Sequence, residues 1–220
     1  MARYSQEPHD QSAFTKSFDQ AYTRLARVYD VAVKALPVWK AWLRPALQHL
    51  KGPRVLEVSF GTGHLMTECA RRFEVHGLDL NARMIAIARA NLQRAGVGAA
   101  LCRGTVEALP YRSDSFDCVL NTMAFSGYPD GRKALGELLR VLKLAGRLVL
   151  IDINYPADGN RLGTWLTEVW KYAGDLIRDM RTLFREFPLE HVAQEIGGWG
   201  SVHLYVATKH PSVEPSRSEP

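Results

Sequence analysis

From Arg54 to Ile153 the chain alternates between two textures, and that alternation leaves it few folds to choose from. Short apolar runs at Val55 to Val58, Val75 to Leu78, Ala99 to Cys102, Phe116 to Leu120 and Leu148 to Ile153 are separated by segments of helical period at Leu65 to Arg72, Ala82 to Arg94 and Arg132 to Leu142. Strands apolar at every residue, not every second one, are buried on both faces. With helices between them they predict an α/β fold built on a parallel sheet.

The flanks read differently. From Ser12 to Leu36 apolar residues recur at helical spacing until Pro37, and a second stripe through Trp39, Trp42, Leu43, Ala46 and Leu50 is expected to bend near Pro45. Residues 1–50 are therefore expected to form a helical cap ahead of a domain at 51–209. Within that domain, 156–187 is expected to be a helical cover, its stripe running unbroken from Leu162 through Trp165, Leu166 and Val169 to Phe184, with Asp175 on the polar side. Two strands around Gly197-Gly198-Trp199-Gly200 predict a closing antiparallel hairpin, and the Pro- and Ser-rich tail 210–220 is expected to be disordered.

Composition limits the partners. With 220 residues, 46% hydrophobic and 23% charged, the chain can bury the core of one domain. No apolar run approaches the roughly 20 residues that span a bilayer, and the first residues lack the apolar centre of a secretory signal, so a cytoplasmic protein is expected. The net charge of +5 suits anionic partners in general, but the basic residues are scattered, which argues against nucleic acid. Three cysteines without C-x-x-C pairing read as reduced thiols, and seven dispersed histidines predict no metal.

The stretch "RVLEVSFGTGHL", Arg54 to Leu65, marks the ligand site. A parallel sheet binds its ligand beyond the carboxyl ends of its strands. Gly61 and Gly63 follow the first strand directly, where a bare backbone permits close approach and a helix N-terminus offers free N–H groups. The second strand ends in "HGLDL", placing Asp79 where a carboxylate can accept hydrogen bonds from a ribose. In this order the features predict an adenosine-containing ligand.

Over roughly Val55 to Lys209 the chain resembles the class I S-adenosylmethionine-dependent methyltransferases, through "VLEVSFGTG", "GLDLNARMIAIAR", "GTVEALPYRSDSFDCVLNTMAF" and "ELLRVLKLAGRLVLID". "FDQAYTRLARVYD" and the Gly-Gly hairpin are similar to the ubiquinone/menaquinone-biosynthesis (methyltransferase type 11) branch. The resemblance implies a Rossmann-like, doubly wound, seven-stranded sheet, mostly parallel with a C-terminal antiparallel hairpin, and S-adenosyl-L-methionine as cofactor. It implies that Glu57, Ser59, Gly61 and Gly63 surround the methionine part and that Asp79, with Leu80, holds the ribose. Asn81 and Met84 would lie beside sugar and adenine, Thr105, Val106 and Glu107 would border the adenine edge, and Asn121 and Met123 would face the methyl group. Tyr22 and Tyr29 are candidates for contacting cofactor or acceptor, with core packing as the alternative, and Tyr128 and Tyr155 are further substrate or lid candidates.

Two positions depart from the family pattern. Ser59 stands where glycine is usual, either crowding the cofactor or lending its hydroxyl to the cofactor carboxylate, and Thr105 stands where an acidic residue is common. His191, His203, Tyr128 and Tyr155 are possible proton acceptors, and none is assigned. The aromatic residues Trp39, Trp42, Trp165 and Trp170 of the covering helices predict a lipophilic or aromatic small acceptor. A phospholipid headgroup at a membrane surface is the alternative acceptor. An NAD-linked oxidoreductase and a non-catalytic cofactor-binding module are the alternatives of other classes, and the oligomeric state is open.

Overall fold

The computed structural model describes residues 3–35 and 37–211. Seven strands form one sheet in the order β3-β2-β1-β4-β5-β7-β6. They are β1 (Arg54–Val58), β2 (Glu74–Asp79), β3 (Ala100–Arg103), β4 (Phe116–Thr122), β5 (Leu142–Ile153), β6 (Leu189–Gly197) and β7 (Val202–Lys209). β1 pairs in parallel with β2 and β4, as do β2 with β3 and β4 with β5, whereas β7 runs antiparallel between β5 and β6. The expected parallel sheet with a closing hairpin is therefore what forms. Strand order reverses between β1 and β4, which puts the crevice for a ligand beyond their carboxyl ends.

Both faces of the sheet are covered, which is why its strands read as unbroken apolar runs. Leu56, Val58, Val119 and Leu150 bury one face against α5 (Gly131–Val141) and α7 (Met180–Arg185). Val55, Cys118, Leu120 and Val149 bury the other against α3 (His64–Cys69) and α4 (Ala82–Ala95). Side-chain caps set the helix starts: Asn81 accepts from the backbone of Arg83 and Met84, and Asp130 from that of Lys133.

Ahead of the sheet lie α1 (Gln11–Ala35) and α2 (Pro37–Leu43), after which the chain tightens into a 3-10 turn at Arg44–His49, the bend expected at Pro45. Asn81 Nδ2 fastens α1 to the sheet, donating to the Asp19 carbonyl at 3.0 Å, Asp19 Oδ1 at 2.8 Å and Thr23 Oγ1 at 2.6 Å.

The single long helix expected after β5 is two helices. α6 (Arg161–Tyr172) stops before Gly174, whose φ of +113° only glycine adopts readily, and the chain restarts at α7 after an Asp179 cap. The stripe divides with it. Ile177, Met180, Leu183 and Phe184 are buried, but Leu162, Trp165 and Val169 are 56%, 61% and 43% exposed, because α6 turns Gly163 and Thr167 toward the protein. Trp165 therefore does not cover the crevice. Trp39 instead joins Trp42 and Trp170 in an aromatic cluster with ring centres 6.0 and 6.2 Å from its own. No helix among the described residues is long and apolar enough to cross a membrane. The tail positions 212–220 lie outside the described residues.

Candidate active site

The turn after β1 is wound through the left-handed region at alternate residues: Ser59, Gly61 and Gly63 have φ of 51°, 54° and 71°. Glycine takes this conformation at little cost, whereas a residue with a Cβ gives up roughly 1–2 kcal/mol. Ser59 holds it with a backbone bond to the Leu78 carbonyl at 2.7 Å and a side-chain bond to the Tyr128 hydroxyl at 2.7 Å. Gly63 has a packing reason, since a Cβ there would stand 3.0 Å from that of Ala88.

Above this turn lies a cavity of about 130 Å³. Ser59, Gly61, Asp79, Leu80, Met84, Thr105, Val106 and Glu107 of the expected cofactor residues line it, as does Asn81. Tyr22, Met123 and Tyr128 of the acceptor or lid candidates do so too. Glu57 borders a smaller cavity that shares Ser59, Thr122 and Met123 with the first. Asn121 is fully buried beneath the floor, its Nδ2 donating to the Tyr128 hydroxyl at 2.7 Å.

Tyr155 is not brought to the cavity: its ring stands edge-on to that of Tyr4, 5.9 Å away, and its hydroxyl donates to Glu168. Tyr29 belongs to α1, but its side chain lies outside the described residues. His191 and His203 lie on β6 and β7 and do not line either cavity. Sequence reasoning missed Thr15, Phe18 and Asp19 of α1, Pro129 after β4, and Asp175 beyond α6. The break signal at Gly174 was the available pointer to Asp175, since a helix that ends there releases its next side chain from the polar face.

The walls are acidic. Asp19, Asp79, Glu107 and Asp175 line the main cavity and Glu57 the adjoining one, and no lysine or arginine is among the described lining residues. Asp79 accepts from the Gly61 amide at 2.9 Å and the Asn81 amide at 2.8 Å, while burial outweighs these bonds and raises its carboxyl to about 6. Burial, and then the charge of Asp79, raise Glu57 to about 8. Glu57 Oε2 and Asn121 Oδ1 are buried without a hydrogen-bond partner. Thr105 spends its hydroxyl on the Glu107 amide, and Glu107 Oε1 accepts from the Asp130 amide at 3.1 Å.

A family model described as a methyltransferase domain matches residues 56–150, and the chain is 34% identical over 146 residues to demethylmenaquinone methyltransferase of Thermus thermophilus, a span that is 63% of this chain and 66% of that one. The chain belongs to the class I S-adenosylmethionine-dependent methyltransferases. It is also 31% identical over 125 residues to the ubiquinone/menaquinone biosynthesis C-methyltransferase UbiE of Pectobacterium carotovorum, covering 54% of this chain and 50% of the relative. The matched span is thus about half to two thirds of these curated methyltransferases' length. Among solved structures, a methyltransferase of Thermotoga maritima described as a possible histamine N-methyltransferase superposes with a TM-score of 0.63 at 22% identity, over 91% of this chain and all of that one, a likeness of fold.

The cofactor of this methyltransferase family, S-adenosyl-L-methionine, fits the residues present. It is a cation with an ammonium and a sulfonium, and here an unpaired buried carboxylate oxygen lies beside a cleft walled by acids. A pyrophosphate such as that of NAD would face those acids with no lysine or arginine among the described walls.

Proposed function

We propose that the chain transfers a methyl group from S-adenosylmethionine to a small lipophilic acceptor, a quinol or a phenol of similar shape. The observation that carries this reading is the pairing of an acidic, cation-seeking cleft with apolar walls from Phe18, Tyr22, Met123 and Pro129. The relatives named for demethylmenaquinone and for ubiquinone/menaquinone biosynthesis support a quinone-like acceptor. A phospholipid phosphate would meet the same carboxylates at a cost.

Bound in this cleft, the cofactor supplies an electrophilic methyl group. Asp79 is suited to hold the ribose hydroxyls once its bond to the Gly61 amide is exchanged, and Glu57 to receive the ammonium on its unpaired oxygen. Leu80, Met84 and Val106 offer apolar contact to the adenine. Residues 1–50 act as a cap, with α1 pinned over the opening through Asn81. An in-line displacement needs alignment and the exclusion of water more than acid or base strength, and a pinned cap supplies both.

The experiment is transfer of labelled methyl from S-adenosylmethionine to a panel containing a reduced short-chain demethylmenaquinol, a simple naphthol and phosphatidylethanolamine. Label in the quinol supports the reading. Label confined to the phospholipid, or no turnover with any acceptor despite tight cofactor binding, would overturn it.

A further inference from the structure

A second pair of acids, Asp152 and Asp175, meets at Ser126, and Asp175 reaches the wall of the cavity. Asp152 is buried near the end of β5, four strand positions along the sheet order from the edge strand β3. Its Oδ2 accepts from the Ser126 amide at 2.6 Å and its Oδ1 from the Ile153 amide at 2.7 Å. The Ser126 hydroxyl lies 3.0 Å from Asp152 Oδ1 and 2.7 Å from Asp175 Oδ1. Asp175 in turn lines the cavity.

The hydrogen count decides what this row can do. Ser126 has one hydroxyl hydrogen and faces two carboxylates. Asp152, already held by two backbone amides, is the better seat for negative charge. The row is complete when Ser126 points its hydrogen at Asp152 and a proton on Asp175 points at Ser126. Two carboxylates joined this way share protons as a pair.

Position separates the pair from the cofactor end. β5 lies three strands from β2, so Asp152 stands about 14 Å from Asp79 at roughly 4.8 Å per strand. Beside Asp175 the wall is apolar: the Phe18 ring lies where a Cβ on Gly127 or Gly174, the neighbours of Ser126 and Asp175, would be 3.1 or 3.6 Å from it. A carboxylate in such a place is desolvated, which strengthens it as a base.

We propose that Asp175 accepts the proton of the methyl acceptor, and that Ser126 relays the proton Asp175 already carries to Asp152. The proposal rests on the methyltransferase reading above and on an acceptor with an ionisable O–H. In the step, the acceptor's O–H bond breaks and its electron pair stays on the acceptor, which becomes the nucleophile. The proton goes to the free Asp175 oxygen, the proton on Asp175 Oδ1 passes to Ser126 Oγ, and the Ser126 hydrogen passes to Asp152 Oδ1. Where a ring carbon takes the methyl group, its C–H proton returns to the oxygen that was ionised, so with either kind of acceptor the pair gains one proton, which it returns to solvent by the reverse path when the product leaves.

The charges around the pair are consistent with late ionisation. Burial raises Asp175, and burial followed by Asp175 itself raises Asp152 to about 7. Asp19 from α1, Glu107, Asp79 and the Tyr128 hydroxyl share the cavity wall with Asp175. Arg178, in the same segment, gives its donors to the carbonyls of Phe125, Leu176 and Tyr128.

Asp175 also ties its segment down, since its amide donates to the Trp170 carbonyl and the Leu176 amide to that of Ser126. The test must therefore separate a base from a latch. Asp175→Asn keeps the shape and a hydrogen bond to Ser126 but cannot take a proton. With a reduced demethylmenaquinol it is expected to lose turnover by about 100-fold or more, and the fall of rate at acid pH expected of the full-length parent should disappear. Ser126→Ala leaves Asp175 in place. With the relay cut its turnover should fall, and its acid limb should move to higher pH, because the hydroxyl that favours the charged carboxylate is gone.

A second arm needs no methyl transfer. With S-adenosylhomocysteine present, calorimetry compares 2-naphthol with its methyl ether. The parent should prefer the hydroxyl compound by about tenfold, a preference that fades as pH falls, and Asp175→Asn should show neither preference nor pH dependence. Unchanged turnover and pH profile in Asp175→Asn, or an undiminished preference for 2-naphthol, would overturn the assignment. Failure of the parent itself to methylate any quinol or phenol would instead overturn the proposed acceptor class, while the binding arm still decides Asp175.

Discussion

Ser59 and Tyr128 meet through their hydroxyls at 2.7 Å, so a residue that departs from the family's glycine is secured by a tyrosine 69 positions later. Asn121 donates to the same phenol from below, and the three form a row from the end of β4 to the glycine turn. Because Asn121 supplies one hydrogen to the phenol, the phenol can give its own to Ser59, which frees the Ser59 hydroxyl hydrogen for a ligand.

This geometry sets two opposing effects at Ser59. Ser59→Gly relieves the left-handed conformation, worth roughly 1–2 kcal/mol, but deletes a hydrogen bond worth about 0.5–1.5 kcal/mol. Its stability in urea should stay within about 1 kcal/mol of the parent. Ser59→Ala deletes the bond and keeps the strain, so it should lose about 0.5–1.5 kcal/mol. Equal stability of the two variants would show that the conformation carries no strain.

Glu57 links stability to pH. Its folded pKa of about 8 lies above the ordinary 4.5, so between those values the folded protein holds a proton that the unfolded chain has released. Stability of the cofactor-free protein should therefore fall as pH rises from about 4.5 to 8, with Asp79, raised to about 6, and the proton shared by Asp152 and Asp175 adding in the same direction. Glu57→Gln should flatten that slope, raise the melting temperature at pH 8 and weaken cofactor binding. A melting curve as pH-dependent as the parent's would refute the assignment.

Asp79→Asn should weaken S-adenosylmethionine binding by about 10- to 100-fold, the worth of a charge-assisted hydrogen bond. The substitution leaves one carbonyl oxygen for two backbone amides, so melting and calorimetry are measured together. Undiminished affinity in the folded variant would remove Asp79 from the ribose.

Asn81 serves two elements at once, capping α4 and holding α1. Asp19→Ala should loosen α1 alone, seen as faster amide exchange in that helix with α4 unchanged. Asn81→Ala should loosen both and cost about 1 kcal/mol more through the lost cap. If Asp19→Ala leaves exchange in α1 as slow as before, the fastening lies elsewhere.

Much of the sheet was legible because burial on both faces writes a strand as a continuous apolar run, and the glycine turn and Asp79 followed from position at strand ends. α6 was not. Periodicity tells which residues share a face, and Leu162, Trp165 and Val169 do, but it does not say whether that face meets the core. Nor does it register that one glycine at position 174 can divide a stripe. Phe18, Asp19 and Asp175 reach the cavity from elements distant in sequence, and their role depends on docking that local pattern does not encode.

Five acids around a cleft whose described walls hold no lysine or arginine sort ligands by charge as well as by shape. Donating its methyl group costs the cofactor one positive charge. At an effective dielectric near 20, two unit charges about 6 Å apart exchange roughly 3 kcal/mol, and half of that corresponds to about tenfold in an equilibrium constant. Walls that hold the charged reagent as proposed are therefore expected to grip the spent, less cationic molecule more loosely, so that the charge favouring loading also favours release of the product.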